Sequence, residues 1–246
     1  MNLYFYLAFL PLHLFGLYSL INYSQISFLM VFVWWILLSG YGVGVTLHRL
    51  LSHRAFETTE RVRNGLSLLS CLCIQGSPIF WVNIHRGYHH RHSDEQQDIH
   101  SPIHGKIWAY FLWTIKVDPH SLSYKYVSDL LRSDFQMMIN KYYFSIIWAV
   151  WICAAIINPT LFFSLVIAQI ITMHLEFCVN LFCHSGTRGY RNYDTADNSR
   201  NYWLFGLLCW GIGYHNNHHA NPKSISFAAK SWEFDPTVLL VRTVSK

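Results

Sequence analysis

The sequence predicts an all-α integral membrane protein in which four transmembrane helices form two hairpins beneath a histidine-rich helical cap. Hydrophobic residues make up 52% of the 246-residue chain and charged residues only 13%, whereas soluble domains carry about 25% charged residues. The charges are confined to two blocks, because residues 1–48 contain none and residues 142–185 contain only Glu176. The chain also contains 15 His, which any functional interpretation has to explain.

Four apolar stretches are long enough, or nearly long enough, to cross a bilayer, which takes about 20 residues. Short uncharged turns at residues 22–25 and 158–159 join them into two hairpins, and the third can extend along the aliphatic stem of Lys141. All 18 Lys and Arg lie between the hairpins or after the second, so the positive-inside rule places both termini and both long segments in the cytoplasm. The predicted spans are residues 3–21, 26–47, 142–157 and 161–182, and the predicted cytoplasmic cap is 48–141 with 183–246.

The cap also contains three apolar runs, at residues 66–82, 107–117 and 202–214. A glycine and a proline interrupt the first, and the other two are too short to span, so we interpret all three as helices lying in the membrane interface. The alternative for 66–82 is a fifth or re-entrant span, but a full span would place the histidine-rich segments on opposite faces. No repeat or linker divides the chain, so we expect one domain over residues 1–246.

Composition also argues against other classes of protein. The net charge of +5 follows the membrane pattern, so nucleic acid is not the expected partner. The six Cys form no C-x-x-C pair and several lie in apolar runs, so we expect reduced thiols. The N-terminus lacks a basic region and a small-residue cleavage site, and we therefore expect the first apolar stretch to stay as a helix.

Most of the histidines fall in three clusters. The first, H-R-L-L-S-H, directly follows the second span, the second, H-R-G-Y-H-H, lies in the long cap segment, and the third, H-N-N-H-H, lies in the tail. We interpret His13, His120 and His174 instead as hydrogen-bonded structural imidazoles. The clustered residues are His48, His53, His85, His89, His90, His215, His218 and His219, and His184 is an isolated candidate at the end of the fourth span.

Ideal α-helical geometry turns 100° per residue, and it separates some of these imidazoles while gathering others. His48 and His53 lie about 140° apart, as do His85 and His90, whereas His85 and His89 share a face. The third cluster lies on a single face. One ion cannot easily use all of these side chains but two neighbouring ions can, which favours a dinuclear site. Imidazole suits Zn, Cu, Fe and Ni, yet the set exceeds the four ligands of a closed zinc site, so redox iron fits better.

The order of these motifs resembles the membrane fatty acid desaturases, most closely the bacterial and cyanobacterial branch related to the stearoyl-CoA desaturases. Two departures are visible: relatives usually have H-x-x-H-H in the second cluster and often G-x-T-x-G-x before the first, where this chain has H-x-x-x-H-H and G-V-G-V-T-L. The similarity covers roughly residues 40–240. The matching stretches are H-R-L-L-S-H, H-R-G-Y-H-H-R-H-S-D-x-x-x-D-x-H-S-P, N-x-x-x-H, G-Y-R-N, D-N-S-R and G-Y-H-N-N-H-H.

The resemblance implies a four-helix anchor in a bacterial inner membrane, a cytoplasmic cap and a di-iron centre that uses dioxygen as co-substrate. It implies that Asn180 holds a water beside the irons. The implied iron ligands are His48, His53, His85, His89, His90, His184, His215, His218 and His219.

The implied reaction is desaturation of a long-chain acyl group, carried by CoA, a carrier protein or a lipid, at C9–C10. An alkyl methylene has no acidic proton, so the metal rather than the side chains must supply the chemistry. The chain has neither a haem-binding H-P-G-G segment nor an iron–sulfur cysteine set. A ferredoxin or cytochrome b5-like carrier with its reductase is therefore the implied electron donor, and it could dock on Arg188, Arg191 and Arg200, unless these bind anionic headgroups.

Two other functions are compatible with the clusters. A hydroxylase, acetylenase or ketolase would share the site, and only its product distinguishes it. A membrane metal-binding or transport protein is the non-enzymatic alternative. A transporter needs ionisable residues at mid-membrane, but only His174 and Glu176 lie within a predicted span, which argues against transport.

The remaining candidates surround the clusters. Asp94 and Asp98 are expected to orient ligand imidazoles through their second N–H. We expect His92 and His100 to support the same loop, and His104 to be either a loop-supporting or a solvated polar side chain.

The second span leads directly into the first histidine of the first cluster, so its residues on that side are expected to line an acyl tunnel. Counting back three, four and seven positions gives Val45, Gly44 and Tyr41. Gly44 would leave room for the chain and Tyr41 would close the far end. The alternative is that Gly44 permits close helix packing and that Tyr41 faces headgroups or another helix.

Overall fold

The computed structural model describes residues 3–186 and 188–246, which are helical apart from turns and isolated bridges from Asn201 to Tyr190 and Tyr214. The helices are α1 (Phe5–Ile21), α2 (Phe28–His53), α3 (Glu60–Cys71), α4 (78–89), α5 (108–116), α6 (Asp134–Lys141), α7 (Tyr143–Ile157), α8 (Pro159–His184), α9 (Trp203–Leu208), α10 (His215–Ala220) and α11 (Thr237–Val244). Short helical turns lie at Tyr23–Gln25, Pro102–His104, Pro119–Ser121, Lys125–Val127 and Ser128–Leu131.

Two helices of the described chain, α2 and α8, are each long and apolar enough to cross a membrane, with 26 residues apiece. Helices α6 and α7 form a pair bent by 66° that reaches this length only as one broken span. The 15 residues of α7 rise about 22 Å, short of a hydrocarbon core of about 30 Å. The four apolar helices match the four predicted stretches in position, and the four-span topology and its orientation stay predictions.

Polar side chains cap the first turns of α2 and α8, at the two predicted hairpin turns. The Ser27 hydroxyl accepts the Met30 N–H at the start of α2, and the Asn158 side chain accepts the Thr160 N–H at the start of α8. Pro159 occupies the first position of α8, where its fixed φ suits a helix and its missing N–H costs nothing. Both predicted hairpin turns are therefore confirmed as helix boundaries.

Stretches of α1, α2, α4 and α5 are wound more widely than an α-helix, with hydrogen bonds between residues five apart. The longest stretch, Ile36–His53, takes up 18 residues of α2, and another is Asn83–His89 in α4. Such winding is rare and recurs at functional sites. It brings residues five apart closer to one face than an ordinary α-helix does.

The apolar runs of the cap form shorter helices than their length suggested. The run 66–82 breaks at Gly76, whose φ is +93°, so α3 and α4 are separate short helices and not one span. The run 107–117 forms α5. The run 202–214 is helical only in α9, because Trp210 and Gly211 adopt positive φ and turn the chain back. Helix α8 lies centrally, with α1, α2 and α7 packed against it.

Candidate metal centre

Four helices bring the clustered histidines to one place. The last turns of α2 and α8 point into the cap, where α4 and α10 meet them. Seven of the nine residues are buried, with His218 fully enclosed and His53 the most accessible of the seven at 8%. His90 and His219 are partly exposed as whole residues, although the side chain of His219 is only 2% exposed. Helix α2 continues beyond the predicted span end at residue 47 to His53 and carries the first cluster on its own end, and the cap boundary at residue 48 stays a prediction.

The ring nitrogens of these residues form two sets of four. The first imidazole group is His48, His53, His85 and His218, and the second imidazole group is His89, His184, His215 and His219. Within each group the nitrogens lie within 4.8 Å of one another, and His90 lies within that distance of His218 and His219. The structure thus brings together every histidine predicted as a ligand and divides them into two candidate ion sites.

The division differs from the one that ideal α-helices predict. His48 and His53 were expected to diverge, but the wide winding of α2 places them on one face with ring centroids 5.0 Å apart. His85 and His89 were expected to share a helix face, and the structure places them in different groups. The third cluster also divides, because α10 lies between the groups and His218 faces the first.

The environment of these nitrogens fits a metal ion. The Nε2 atoms of His53 and His85 are 2.9 Å apart, and those of His90 and His218 are 2.8 Å apart. Both ring nitrogens of His48 are buried without a hydrogen-bond partner among the described residues, and native proteins rarely leave such atoms unpaired. Burial lowers the imidazole pKa well below its usual value at His85, His90, His215 and His218, and the neutral imidazole is the form that binds metals.

Carboxylates orient the second imidazole group. Asp98 accepts from Nδ1 of His89 at 3.0 Å, and Asp94 accepts from Nδ1 of His184 at 3.0 Å. The His215 Nδ1 donates to a backbone carbonyl, that of Ile212, at 3.1 Å. These bonds fix each imidazole with Nε2 toward the centre and make it a stronger ligand. The geometry agrees with the orienting role expected of Asp94 and Asp98.

Sequence reasoning missed a third carboxylate, Asp197. It accepts from Nδ1 of His219 at 2.7 Å. Although burial opposes ionisation, the neighbouring imidazoles hold the pKa of Asp98 and of Asp197 below the usual value, so both are charged at neutral pH. The signal was present in the D-N-S-R stretch that follows the fourth span. Arg191, one of the arginines considered for docking, donates to the carbonyls of Asp197 and Thr195 and holds this loop in shape.

No carboxylate of the described residues contacts the first imidazole group, which is held by packing instead. The indole of Trp81 stacks on His85 with ring centroids 4.8 Å apart, and the Phe227 ring lies 4.4 Å from that of His218. Behind Phe227 the guanidinium of Arg49 lies 3.9 Å from the ring centroid and forms a buried ion pair with Asp235 at 2.7 Å. Neither Phe227 nor this ion pair was identified from the sequence.

The other histidines have structural or peripheral positions. His13 and His174 are joined through their Nε2 atoms at 3.0 Å, and the Tyr110 hydroxyl bonds the other nitrogen of His174 at 2.8 Å, as expected of structural imidazoles. His100 lies against His89 with ring centroids 4.4 Å apart, whereas His104 bonds the Asp98 carbonyl at 3.0 Å. Within the described chain, the ring of His92 bonds only to the exposed carboxylate of Glu95.

A cavity of about 650 Å³ opens beside the first imidazole group. Its lining includes His85 and Asn180 near the centre, and it reaches the surface where Leu131 and Met137 are exposed. Most of its wall is apolar, with contributions from the start of α4 and from α5, whereas the face of α8 that lines it carries Glu176 and Asn180. The volume falls within the range of about 300–1,000 Å³ typical of small-molecule sites.

The predicted tunnel residues lie elsewhere. None of Tyr41, Gly44 and Val45 lines this cavity. The Tyr41 hydroxyl bonds Thr243 in α11 at 3.0 Å, and a side chain at Gly44 would meet Trp210 and Thr237 at 3.4 Å. This face of α2 packs on the C-terminal helix, which favours the packing alternative over the tunnel assignment.

Fold and site together define a membrane-associated enzyme with a histidine-rich metal centre. The fatty acid desaturase family model matches residues 26–229. The sn-1 stearoyl-lipid 9-desaturase of Anabaena variabilis is 32% identical over 96% of this chain and 88% of its own length. The sn-2 palmitoyl-lipid 9-desaturase of Nostoc sp. (strain 36) is 31% identical over 85% and 74%, and the acyl-CoA C20 Delta5-desaturase of Anemone leveillei is 28% identical over 94% and 75%. The chain belongs to the fatty acid desaturase family and is an oxidoreductase of lipid metabolism.

Proposed function

We propose that this enzyme introduces a double bond at C9–C10 of a long fatty acyl chain, with dioxygen as the oxidant. A –CH2–CH2– unit, one dioxygen, two electrons and two protons give –CH=CH– and two waters. The observation that carries the proposal is the pair of four-imidazole groups beside a largely apolar cavity. We propose C9–C10 as the position of the double bond because the two cyanobacterial relatives are both named 9-desaturases.

Two irons fit the residues, one in each imidazole group with His90 between them. When bound, they supply the oxidising power needed to take hydrogens from unactivated methylenes. The chain's own residues do the rest: the apolar cavity excludes water and places the acyl chain, and the aspartates fix the imidazoles. Asn180 lines the cavity one helical turn before His184, and its amide is suited to hold a water there.

The electrons come from a separate ferredoxin or cytochrome b5-like protein with its reductase. Of the arginines first considered for docking, Arg188 is exposed and stays a candidate, whereas Arg191 and Arg200 bond backbone carbonyls of their own loop. We further propose a multi-pass position in a bacterial inner membrane with both termini cytoplasmic. A reporter fused after Lys246 tests this orientation, because a translocated signal would contradict it.

The decisive experiment expresses the chain in a host that lacks unsaturated lipids and identifies the fatty acids by mass spectrometry. A monounsaturated chain, absent from cells that carry His184→Ala, is the expected result. Hydroxylated or acetylenic products would instead establish the alternative reaction of the same site. Cells without any modified chain, despite membrane-inserted protein and its electron donor, would contradict the proposal.

A further inference from the structure

Glu176 is an acidic residue in an otherwise uncharged membrane helix. It is the sole Asp, Glu, Lys or Arg between residues 142 and 185 of the sequence. Its side chain is 7% exposed and lines the cavity, and no donor among the described residues reaches its Oε1. Ionisable residues inside membrane spans are costly to bury, and they usually mark a site that binds or transfers something.

Glu176 lies on the face of α8 that leads to the metal centre. Glu176, Asn180 and His184 are spaced by four residues, so they share one face of α8. Each step advances about 6 Å, which puts Glu176 about 12 Å along the axis from His184. The cavity thus presents a carboxyl group a short distance beyond the carbons that would lie at the metal centre.

No hydrogen-bond donor among the described residues reaches the Oε1 atom of this carboxyl. The buried guanidinium of Arg49 is engaged by Asp235 and by the carbonyls of Gly44 and Ile225. Glu176 Oε1 is therefore left to pair with whatever fills the cavity.

A hydrocarbon chain without polar groups offers the Glu176 carboxyl no hydrogen-bond partner. When such a chain fills the cavity it expels water, and the carboxyl then has no hydrogen-bond partner, which weakens binding. A chain that carries a hydroxyl at this depth restores the bond. Sites built to pair with a substrate hydroxyl discriminate strongly against analogues that lack it.

We propose that Glu176 is a specificity residue that selects acyl chains bearing a hydroxyl group beyond the reacting carbons. This inference rests on the proposed function, because it assumes that the acyl chain occupies the cavity. The class of substrate is thus a hydroxylated long-chain acyl group, and the hydroxyl donates to the carboxyl.

Binding of defined fatty acids to the full-length protein in detergent tests the inference. Isothermal titration calorimetry compares stearate with the positional isomers of monohydroxystearate. We expect at least one isomer to bind about tenfold more tightly than stearate, which corresponds to one hydrogen bond. Equal affinity of stearate and all isomers would overturn the proposal.

Three variants test whether the carboxyl of Glu176 causes the preference for a hydroxylated chain. Glu176→Leu should abolish the preference and strengthen stearate binding, whereas Glu176→Gln, whose amide still accepts a hydrogen bond, should keep part of it. Thr172→Val is the matched control: Thr172 is buried one turn earlier on α8, its hydroxyl has no partner among the described residues, and it does not line the cavity. A preference that survives in Glu176→Leu, or disappears in Thr172→Val, would refute the assignment.

The outcome is separable from that of the proposed function. If the cells produce monounsaturated lipid but no hydroxyl preference is measured, the desaturase proposal holds and this inference fails. If the hydroxyl preference and its loss in Glu176→Leu are measured although no chain is desaturated, the binding site stands and the reaction has to be reassigned.

Discussion

The two imidazole groups offer four nitrogens each, but different forces hold them in place. In the second group, Asp94, Asp98 and Asp197 bond the outer nitrogens of three imidazoles. In the first group, Trp81 and Phe227 pack against the rings instead. A carboxylate raises the ligand strength of its imidazole and fixes its tautomer, whereas an aromatic ring only restricts its position. We therefore expect the second group to bind its ion more tightly, and the first to depend on the packing of the C-terminal segment.

The largest expected effect comes from removing one ligand of either group, which tests whether both are needed. His184→Ala and His218→Ala should each abolish product formation and reduce iron from two per chain to about one, since a site with three of its four imidazoles holds metal weakly. Metal analysis and fatty acid profiles of the purified variants and their host cells measure this. A wild-type protein with one tight zinc and no iron would contradict the redox interpretation of both groups.

Asp197→Asn should weaken the second group alone. Loss of the carboxylate that orients a metal-bound imidazole typically costs about 10- to 100-fold in metal affinity or activity. Titration with a competing chelator should therefore release one ion earlier than in the wild type. The control is Asp194→Asn, three residues earlier in the same loop and fully exposed. Equal release from the two variants would mean that the carboxylates do not distinguish the groups.

Phe227→Leu should act on the first group through packing. The ring is 1% exposed and contacts His48 and His218, so trimming it should lower stability by about 1–2 kcal/mol. Thermal unfolding in detergent measures the loss of stability. Metal analysis should find that the second imidazole group keeps its ion. Phe234→Leu, at an exposed ring in the same segment, should change neither quantity. Loss of both ions in Phe227→Leu would argue that the groups are coupled rather than independent.

The smallest effect is expected at His104. Its ring bonds the carbonyl of Asp98 and belongs to neither group, so His104→Ala should cost no more than one ordinary hydrogen bond, about 1 kcal/mol. Fatty acid profiles should stay close to those of the wild type. If His104→Ala reduces product as much as His218→Ala does, the assignment of ligands is wrong.

The sequence predicted the positions of the apolar helices and the convergence of the histidines, because both depend on composition and local order. The absence of charge marks residues that leave water, and three dense clusters mark a common site. It did not predict how the clusters divide, since that depends on helix winding. His48 and His53 diverge on an α-helix but share a face on the wider helix that formed.

Contacts between distant segments were also beyond sequence reasoning. Phe227 and Asp235 reach the centre only because the tail folds back over α2 and pairs Asp235 with Arg49. The same packing concerns Gly44, whose face of α2 is covered by α11 and Trp210. Counting along one helix locates a face, but the element that covers the face is set by the rest of the chain.

The wide winding of α4 also bears on the length of the second cluster. This chain has one residue more between His85 and the following pair than is usual in the family, and an extra residue in an ordinary α-helix would rotate everything after it by 100°. In the wide turn Asn83–His89 the His90 N–H bonds the carbonyl of His85, five residues earlier, and the Nε2 atoms of the two rings lie 3.1 Å apart. Both ends of the cluster therefore face the centre despite the extra residue.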